Sequence, residues 1–132
     1  MEISTIDFEV FFHHENAAFF HIASLSEFLV EKFEVKTNRV LISTETLRKN
    51  KSRHPELAIS DYLLAEIIIN QADLVVLEAD KALLCVKILE VNYFLVLKKT
   101  ASGQGIFLTS MRRMRQKELK NVRARGVIIF EK

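Results

Sequence analysis

The chain has 132 residues, of which 49% are hydrophobic and 27% are charged. This length and composition indicate one globular domain with its own core, and three Gly with one Pro exclude long flexible linkers. The single cysteine, Cys85, excludes an internal disulfide, and its apolar neighbours predict a small buried side chain in a reducing compartment. No apolar run approaches the ~20 residues that span a bilayer, and no signal-peptide pattern is present, so we expect a cytoplasmic protein without membrane contact.

The formal net charge of +2 conceals an uneven distribution. Residues 1–47 carry three Lys/Arg and eight Asp/Glu, a net charge of −5, whereas residues 48–132 carry sixteen and nine, a net charge of +7. From Lys98 to Arg125 there are nine basic residues and one acid, Glu118. Such clustering favours a polyanionic partner such as RNA or DNA, although a solvated basic helix would have the same composition.

The first forty residues predict one strand and one helix. Residues 6–12 alternate apolar and acidic side chains, as in a strand with one wet face. Ser24 and Glu27 have the spacing of a capping box, and apolar residues then recur at helical spacing. The helix covers at least 25–33, or begins as early as residue 15.

A short strand at 39–43 precedes a basic helix that Thr44 can cap and that runs to about Ser52. Pro55 fits the first position of a helical turn, and a proline disfavours the α region for the residue before it, here His54.

The remainder predicts a second helix and a β meander. Ser60 is a natural N-cap for an apolar helix that ends near Asn70. Apolar runs separated by turn residues then predict strands at 73–77, 82–89, 92–99 and 105–110, followed by a helix at 111–125 and a last strand at 126–130. We therefore predict an α+β fold, with helices packed on one face of a four- to five-stranded, mostly antiparallel sheet.

Metal and cofactor chemistry finds little support in the sequence. His13 and His14 are adjacent, so in a strand they would point to opposite faces, and His21 has no carboxylate pair at ligand spacing. Phosphate-binding, dinucleotide-binding, zinc-protease and nucleophile-elbow motifs are all absent from the sequence. We expect neither a metal nor a cofactor.

The remaining polar residues suit RNA cleavage without a metal. That reaction needs a base for the ribose 2′-OH, cations for the charged transition state and an acid for the departing 5′-oxygen. His54 could be the acid or base. The other candidates lie at ends of predicted strands and helices: Lys98 or Lys99, of which strand parity lets one face the site; Thr109 and Ser110; and Arg112 and Arg113, which could clamp a phosphate.

Each candidate also has a structural explanation. A His before Pro can act as a hydrogen-bonding cap, a Lys-Lys pair before a turn can be solvated, and Thr-Ser before a basic helix can cap that helix. Composition and periodicity leave both explanations open.

From Val40 onward the chain reads V-L-I-S-T-E-T-L-R-K-N-K-S-R-H-P-E-L-A-I-S-D-Y, then A-D-L-V-V, Y-F-L-V-L-K and G-I-F-L-T-S-M-R-R. This pattern resembles the phage-associated branch of the barnase, EndoU, colicin and RelE-like nuclease superfamily, over about residues 40–115. The R-H-P-E…D-Y element carries most of the resemblance. Such domains occur in phage head-morphogenesis, prophage and toxin contexts.

The resemblance implies a metal-independent endoribonuclease domain at 39–132. Residues 1–38 have no counterpart in that family, and we predict that they form an acidic strand–helix extension within one compact unit. On the matching positions the resemblance implies site residues Ser43, Thr46, Lys49, Arg53, His54, Lys98, Ser110 and Arg112. It also implies RNA as the substrate, and a cognate inhibitor or phage structural protein as a further partner.

The leading hypothesis is RNA cleavage by 2′-OH attack that leaves a cyclic phosphate. His54 is assigned acid–base work, Lys98 and Arg112 phosphate stabilisation, and Ser110 and Lys49 positioning. Ser43, Thr46, Arg53, Thr109 and Arg113 complete the set as substrate-binding residues.

Two alternatives remain: a nucleic-acid-binding module without chemistry, and a phage-particle protein that docks through its acidic half. Chemistry is favoured if His54, Lys98, Ser110 and Arg112 share one cleft, and binding alone if they scatter.

Overall fold

The computed structural model describes residues 5–132. In chain order its elements are α1 (Thr5–His14), β1 (Phe19–Ser24), α2 (Glu27–Phe33), β2 (Arg39–Ser43), α3 (Thr44–Arg53), α4 (Ile59–Tyr62), α5 (Ala65–Asn70), β3 (Leu74–Glu78), β4 (Ala82–Lys87), β5 (Asn92–Lys99), β6 (Ile106–Met114), a 3₁₀ turn (Gln116–Glu118), α6 (Leu119–Arg123) and β7 (Val127–Glu131). No helix within this range is long and apolar enough to cross a bilayer.

Within residues 5–132, seven strands form one sheet in the order β1-β2-β6-β5-β4-β3-β7. Neighbouring strands are antiparallel, except that β2 runs parallel to β6 over the pairs Val40–Ile106 and Leu41–Phe107. The α+β class and the mostly antiparallel sheet are confirmed. The sheet has more strands than predicted, because β1 and β2 extend it beyond β6 and β7 extends it beyond β3.

Two apolar clusters lie on opposite faces of the sheet. On the helical face, Leu83 and Cys85 of β4 pack with side chains of α1, α2, α3 and α5. On the second face, Leu84 and Val86 of the same strand pack against Val122 of α6. This alternation is the period-two pattern of a strand that is buried on both sides. The helices are therefore not confined to one face, as the sequence had predicted, because α6 covers part of the other.

Residues 6–12 form a helix, so the strand predicted there is wrong. Phe8 and Phe11 lie three residues apart on the inner face of α1, and both are fully buried. Their rings each lie 5.3 Å from the ring of Phe20 in β1. Packing against the sheet has overridden the alternating pattern.

The second helix begins later than its earliest predicted start. Residues between α1 and α2 form β1, which excludes one long helix from residue 15. The N-cap is Ser26, whose hydroxyl accepts a hydrogen bond from the Leu29 amide at 3.3 Å, and not Ser24, which ends β1.

The segment after α3 also differs from prediction. Pro55 lies in a turn in which the Leu57 amide donates to the His54 carbonyl, and no helix begins there. The predicted helix that ends near Asn70 is divided into α4 and α5, and the side chain of Asp61, not that of Ser60, accepts from a backbone amide at the start of α4.

The helix predicted at 111–125 is mostly wrong. Strand β6 continues to Met114, which pairs with Asn92 of β5, so Arg112 and Arg113 belong to a strand. Helical structure is limited to the 3₁₀ turn and α6.

Residues 5–38 form a helix, a strand and a helix that belong to the same sheet and core as the remainder. Phe8 of α1, Ile22 of β1 and Phe33 of α2 are all buried in the helical-face cluster. The strand–helix order proposed for 1–38 is therefore corrected to helix–strand–helix over its described part.

Candidate functional site

A polar pocket of about 270 Å³ lies between α3 and the edge of β6. Strand β2 pairs with only the first two residues of β6, so the rest of this edge of β6 is not paired with β2. Helix α3 covers it, and the Met111 amide donates to Asn50 Oδ1 at 3.1 Å. The pocket is lined by Thr46, Lys49, Asn50, Arg53, His54, Thr109 and Ser110.

Helix α3 supplies most of this lining from one face. Thr46, Lys49, Asn50 and Arg53 have the spacing i, i+3, i+4 and i+7, which places side chains on a single side of a helix. Ser43 does not line the pocket: it is the N-cap of α3, and its hydroxyl accepts from the Thr46 amide at 3.0 Å. Its place is structural, and it sets where the lining face begins.

Asn50 forms the buried wall of the pocket. Its Oδ1 accepts from Met111, and its Nδ2 donates to the hydroxyl oxygen of Tyr62 at 2.8 Å. Burial raises the pKa of Tyr62, so this phenol stays neutral at ordinary pH. Sequence reasoning missed Asn50, although its position one turn from both Thr46 and His54 was a signal.

His54 is the C-cap residue of α3, but its ring does not make the cap. Its backbone N–H donates to the Asn50 carbonyl at 2.8 Å, and its φ of −131° and ψ of 65° lie outside the α region, as the following Pro55 predicts. The ring lines the pocket with the side chain 25% exposed, and Nδ1 lies 3.7 Å from Glu56 Oε1. The imidazole is therefore accessible and beside a carboxylate.

A β-bulge brings two hydroxyl residues to the pocket together. In the pairing of β5 with β6, Val96 is opposite Ser110 and Leu97 is opposite Leu108, so Thr109 is the extra residue. The Thr109 hydroxyl donates to the Val96 carbonyl at 3.2 Å. Strict alternation along a strand predicts Thr109 on one face and Ser110 on the other, at the end of the strand. The strand continues instead, and the bulge lets both line the pocket.

The charge in the pocket is positive. Lys49 is paired at 3.3 Å with Glu45, but both side chains are exposed and the pair is weak. Arg53 is exposed, and within residues 5–132 no carboxylate is close enough to form an ion pair with it. An anion that enters the pocket would meet two cations.

Lys98 does not line the pocket. It stands exposed at the end of β5, opposite Phe107, whereas Lys99 turns to the helical face, where its ammonium donates to the Phe33 carbonyl. The prediction that the two lysines face opposite sides is correct.

Arg112 and Arg113 also lie outside the pocket lining. The Arg112 guanidinium lies 5.0 Å from the centre of the Phe94 ring and 3.2 Å from Glu118. A hydrogen bond from the Arg115 backbone N–H and the nearby Arg112 lower the pKa of Glu118. Arg113 lies 3.9 Å from the buried Asp61. Of the four proposed catalytic residues, the pocket thus contains His54 and Ser110 only.

No three His, Cys, Asp or Glu side chains between residues 5 and 132 lie close enough to hold a metal ion. Comparisons with protein-family models, curated proteins and solved structures found no match to the chain.

Proposed function

We propose that the protein is a metal-independent endoribonuclease that cleaves RNA in the pocket between α3 and β6. One observation carries the proposal: an accessible imidazole, two cations and two hydroxyl residues, which lie far apart in sequence, line one pocket of about 270 Å³. A phosphodiester with an adjacent 2′-OH is the substrate that uses all of these groups.

In this proposal neutral His54 takes the proton of the ribose 2′-OH. The resulting oxygen attacks phosphorus, the bond from phosphorus to the 5′-oxygen breaks, and a 2′,3′-cyclic phosphate remains. The attacking and departing oxygens lie on opposite sides of phosphorus, so one imidazole cannot contact both. Solvent water therefore protonates the 5′-oxygen, and the hydroxide that this leaves takes the proton from the His54 ring, which returns to its neutral form. The Glu56 carboxylate lies beside the ring, with Oε1 3.7 Å from Nδ1.

Lys49 and Arg53 would stabilise the charge that develops on the phosphate oxygens. A planar guanidinium can donate two parallel hydrogen bonds to one phosphate, which suits Arg53 to this role. The Ser110 hydroxyl can donate a third. Lys98 and Arg112, which lie outside the lining, would contact flanking phosphates and not the one that reacts.

The test is RNA cleavage in EDTA by wild type, His54→Ala and the matched control His14→Ala. His14 is an exposed histidine of α1, and the His54 ring makes no structural cap, so both variants should fold. We expect His54→Ala to cleave about 10²- to 10⁴-fold more slowly, with His14→Ala unchanged. Mass spectrometry should find a cyclic phosphate, and 2′-O-methyl RNA should resist. Absence of cleavage by wild type, or equal cleavage by His54→Ala, would refute the proposal.

A second candidate is nucleic-acid binding without chemistry. It is favoured by the position of Lys98 and Arg112, which the catalytic hypothesis had placed with His54. Salt-dependent RNA binding by wild type, with no product after long incubation, would support this function over the first.

A further inference from the structure

The second face of the sheet is covered over only part of its width. The apolar cluster beneath α6 draws on β3, β4, β5 and the end of β6, and it contains no residue of β1 or β2. The part formed by β1, β2 and the beginning of β6 is called here the open face. It is continuous with the end of β5, where Lys98 is opposite Phe107.

Two phenylalanines occupy the open face. Phe20 and Val40 point into the helical-face cluster, so Phe19 and Leu41, next to them in their strands, point the other way. Phe107 is paired with Leu41 and shares its side. The rings of Phe19 and Phe107 lie 5.8 Å apart, and Phe19 is 51% exposed. Folding therefore leaves an aromatic surface in contact with water.

A bulge in β1 adds polar residues to the same face. His21 is opposite Leu41, but Ala23 is opposite Val40, so Ile22 is the extra residue and Ser24 comes opposite Arg39. Burial lowers the pKa of His21, so its ring is neutral at ordinary pH. The exposed Arg39 and Lys98 supply the positive charge.

No acid opposes that charge within these strands. Strands β1, β2, β5 and β6 contain no Asp or Glu along their described lengths. The acidic residues of the N-terminal half lie instead mainly on helices, such as Glu27 and Glu31 of α2, whose inner side packs on the helical face. Two carboxylates lie near the edges of this face, and both are already engaged: Glu66 accepts from the Ser24 backbone N–H, and Glu78, near Lys98, is paired with Arg125. The open face is thus aromatic and basic, which complements the bases and phosphates of a nucleic acid.

We propose that the open face binds single-stranded RNA, with unpaired bases stacked on Phe19 and Phe107 and phosphates held by Arg39 and Lys98. A duplex keeps its bases stacked inside the helix and cannot present them to the rings. Ser110 links the two sites, because it lines the pocket and pairs with Val96 of the strand that ends at Lys98. This inference rests on the proposed function and specifies its substrate as unpaired RNA that lies across the sheet with one phosphate in the pocket.

The test is the affinity of the full chain for a labelled 2′-O-methyl RNA of about ten nucleotides, a length typical of such surfaces, as a single strand and as a duplex. This probe cannot be cleaved by 2′-OH attack, so binding is measured apart from chemistry. We expect tighter binding of the single strand. Phe19→Leu, which keeps an apolar side chain but removes the ring, should weaken that binding by about 5- to 100-fold, as expected for one lost base stack.

Phe28→Leu is the matched control, because Phe28 is 46% exposed and belongs to α2, which packs on the opposite, helical face of the sheet. It should leave the affinity unchanged. Arg39→Gln and Lys98→Gln should each lower the slope of log affinity against log salt by about 0.7, the value for one phosphate contact on a single strand.

Equal affinity of wild type, Phe19→Leu and Phe107→Leu, or a preference for the duplex, would overturn the open face as an RNA site. Cleavage of ordinary RNA is measured separately. Binding that depends on Phe19 without any cleavage would retain this site and reject the ribonuclease, whereas cleavage that is indifferent to Phe19 would do the reverse.

Discussion

The second face of the sheet has a covered half beneath α6 and an open half. In both halves alternate residues of each strand point to this face, but only those of the covered half are buried. In the covered half, Leu84 and Phe94 lie beneath Val122 of α6 and are almost fully buried. In the open half, Phe19 and Arg39 at equivalent strand positions remain in water. The difference arises because one short helix, α6, covers only part of this face.

This contrast separates residues that stabilise the fold from residues available for binding. Substitutions in the covered half should change the free energy of unfolding, and substitutions in the open half should change affinity with little effect on stability. The pocket lies at the boundary and contains both kinds of residue.

The largest expected effect on stability is that of Leu84→Ala. Loss of a fully buried leucine leaves a cavity, so we expect the free energy of unfolding in urea to fall by about 2–5 kcal/mol. Phe19→Ala should lower it by only about 1 kcal/mol, because that ring is half-exposed. Similar losses for the two variants would mean that the open half is also part of the core.

A smaller effect is expected within the pocket for Asn50→Ala. The substitution leaves the Met111 amide without its acceptor and the Tyr62 hydroxyl oxygen without its donor. Because water in the pocket can replace part of these bonds, we expect a total loss of about 1–3 kcal/mol. Thr46→Ala is the control, since this half-buried side chain lines the same pocket without a buried hydrogen bond of its own. Chemical denaturation of both variants checks the prediction, and equal stabilities would show that the Asn50 bridge contributes nothing.

The sequence predicted the strands of the sheet interior better than the edge strand β1 or the segment that follows residue 110. Strands at 73–77, 82–89 and 92–99 were predicted within a few residues of β3, β4 and β5, because strands buried on both faces appear as continuous apolar runs between turns. Strand β1 was missed, since its pairing with β2 is a long-range contact that no local period encodes. The strand predicted at 6–12 failed for the same reason: the contacts that decide it lie in β1.

The candidate site was predictable in composition more than in geometry. Six of the ten proposed residues line one pocket, because four belong to or follow a helix whose spacing can be read directly. The bulge at Thr109 could not be predicted, because it changes the side of the strand on which the following residues lie, and no feature of the local sequence marks it. Arg112 was misplaced because the 111–125 segment has helical spacing, yet its first residues pair with β5.

Cys85 allows a third test, on the helical face of β4 directly behind the covered half. Burial raises the pKa of its thiol from 9.0 to about 12. The folded protein thus favours the neutral thiol, and this preference costs nothing below the ordinary pKa, where the unfolded chain is neutral too. As the pH rises from about 9 through about 12, the thiol of the unfolded chain ionises first, and the free energy of unfolding falls by roughly 1 kcal/mol per pH unit. A rise in pH above about 9 should therefore lower the free energy of unfolding of wild type more than that of Cys85→Ala, as measured by urea denaturation. Equal pH slopes for the two proteins, or rapid reaction of the native thiol with a thiol reagent, would show that the site is not closed.

The smallest expected effect concerns Glu118, in the 3₁₀ turn that leads into α6. Its carboxylate accepts from the Arg115 backbone N–H and pairs with Arg112, and both contacts lower its pKa. The stabilisation is thus present above the ordinary pKa and is lost as the pH falls through the lowered value. Glu118→Gln should cost at most about 1 kcal/mol near neutral pH, as for a surface pair, and nothing in acid where wild type is protonated too. It should also release Arg112 from its partner and raise the affinity for single-stranded RNA about twofold at low salt, since an unpaired guanidinium on the same side of the sheet can bind a phosphate. A stability difference that persists in acid would assign the effect to packing of the side chain and not to its charge, and an unchanged affinity would place Arg112 outside the path of the RNA.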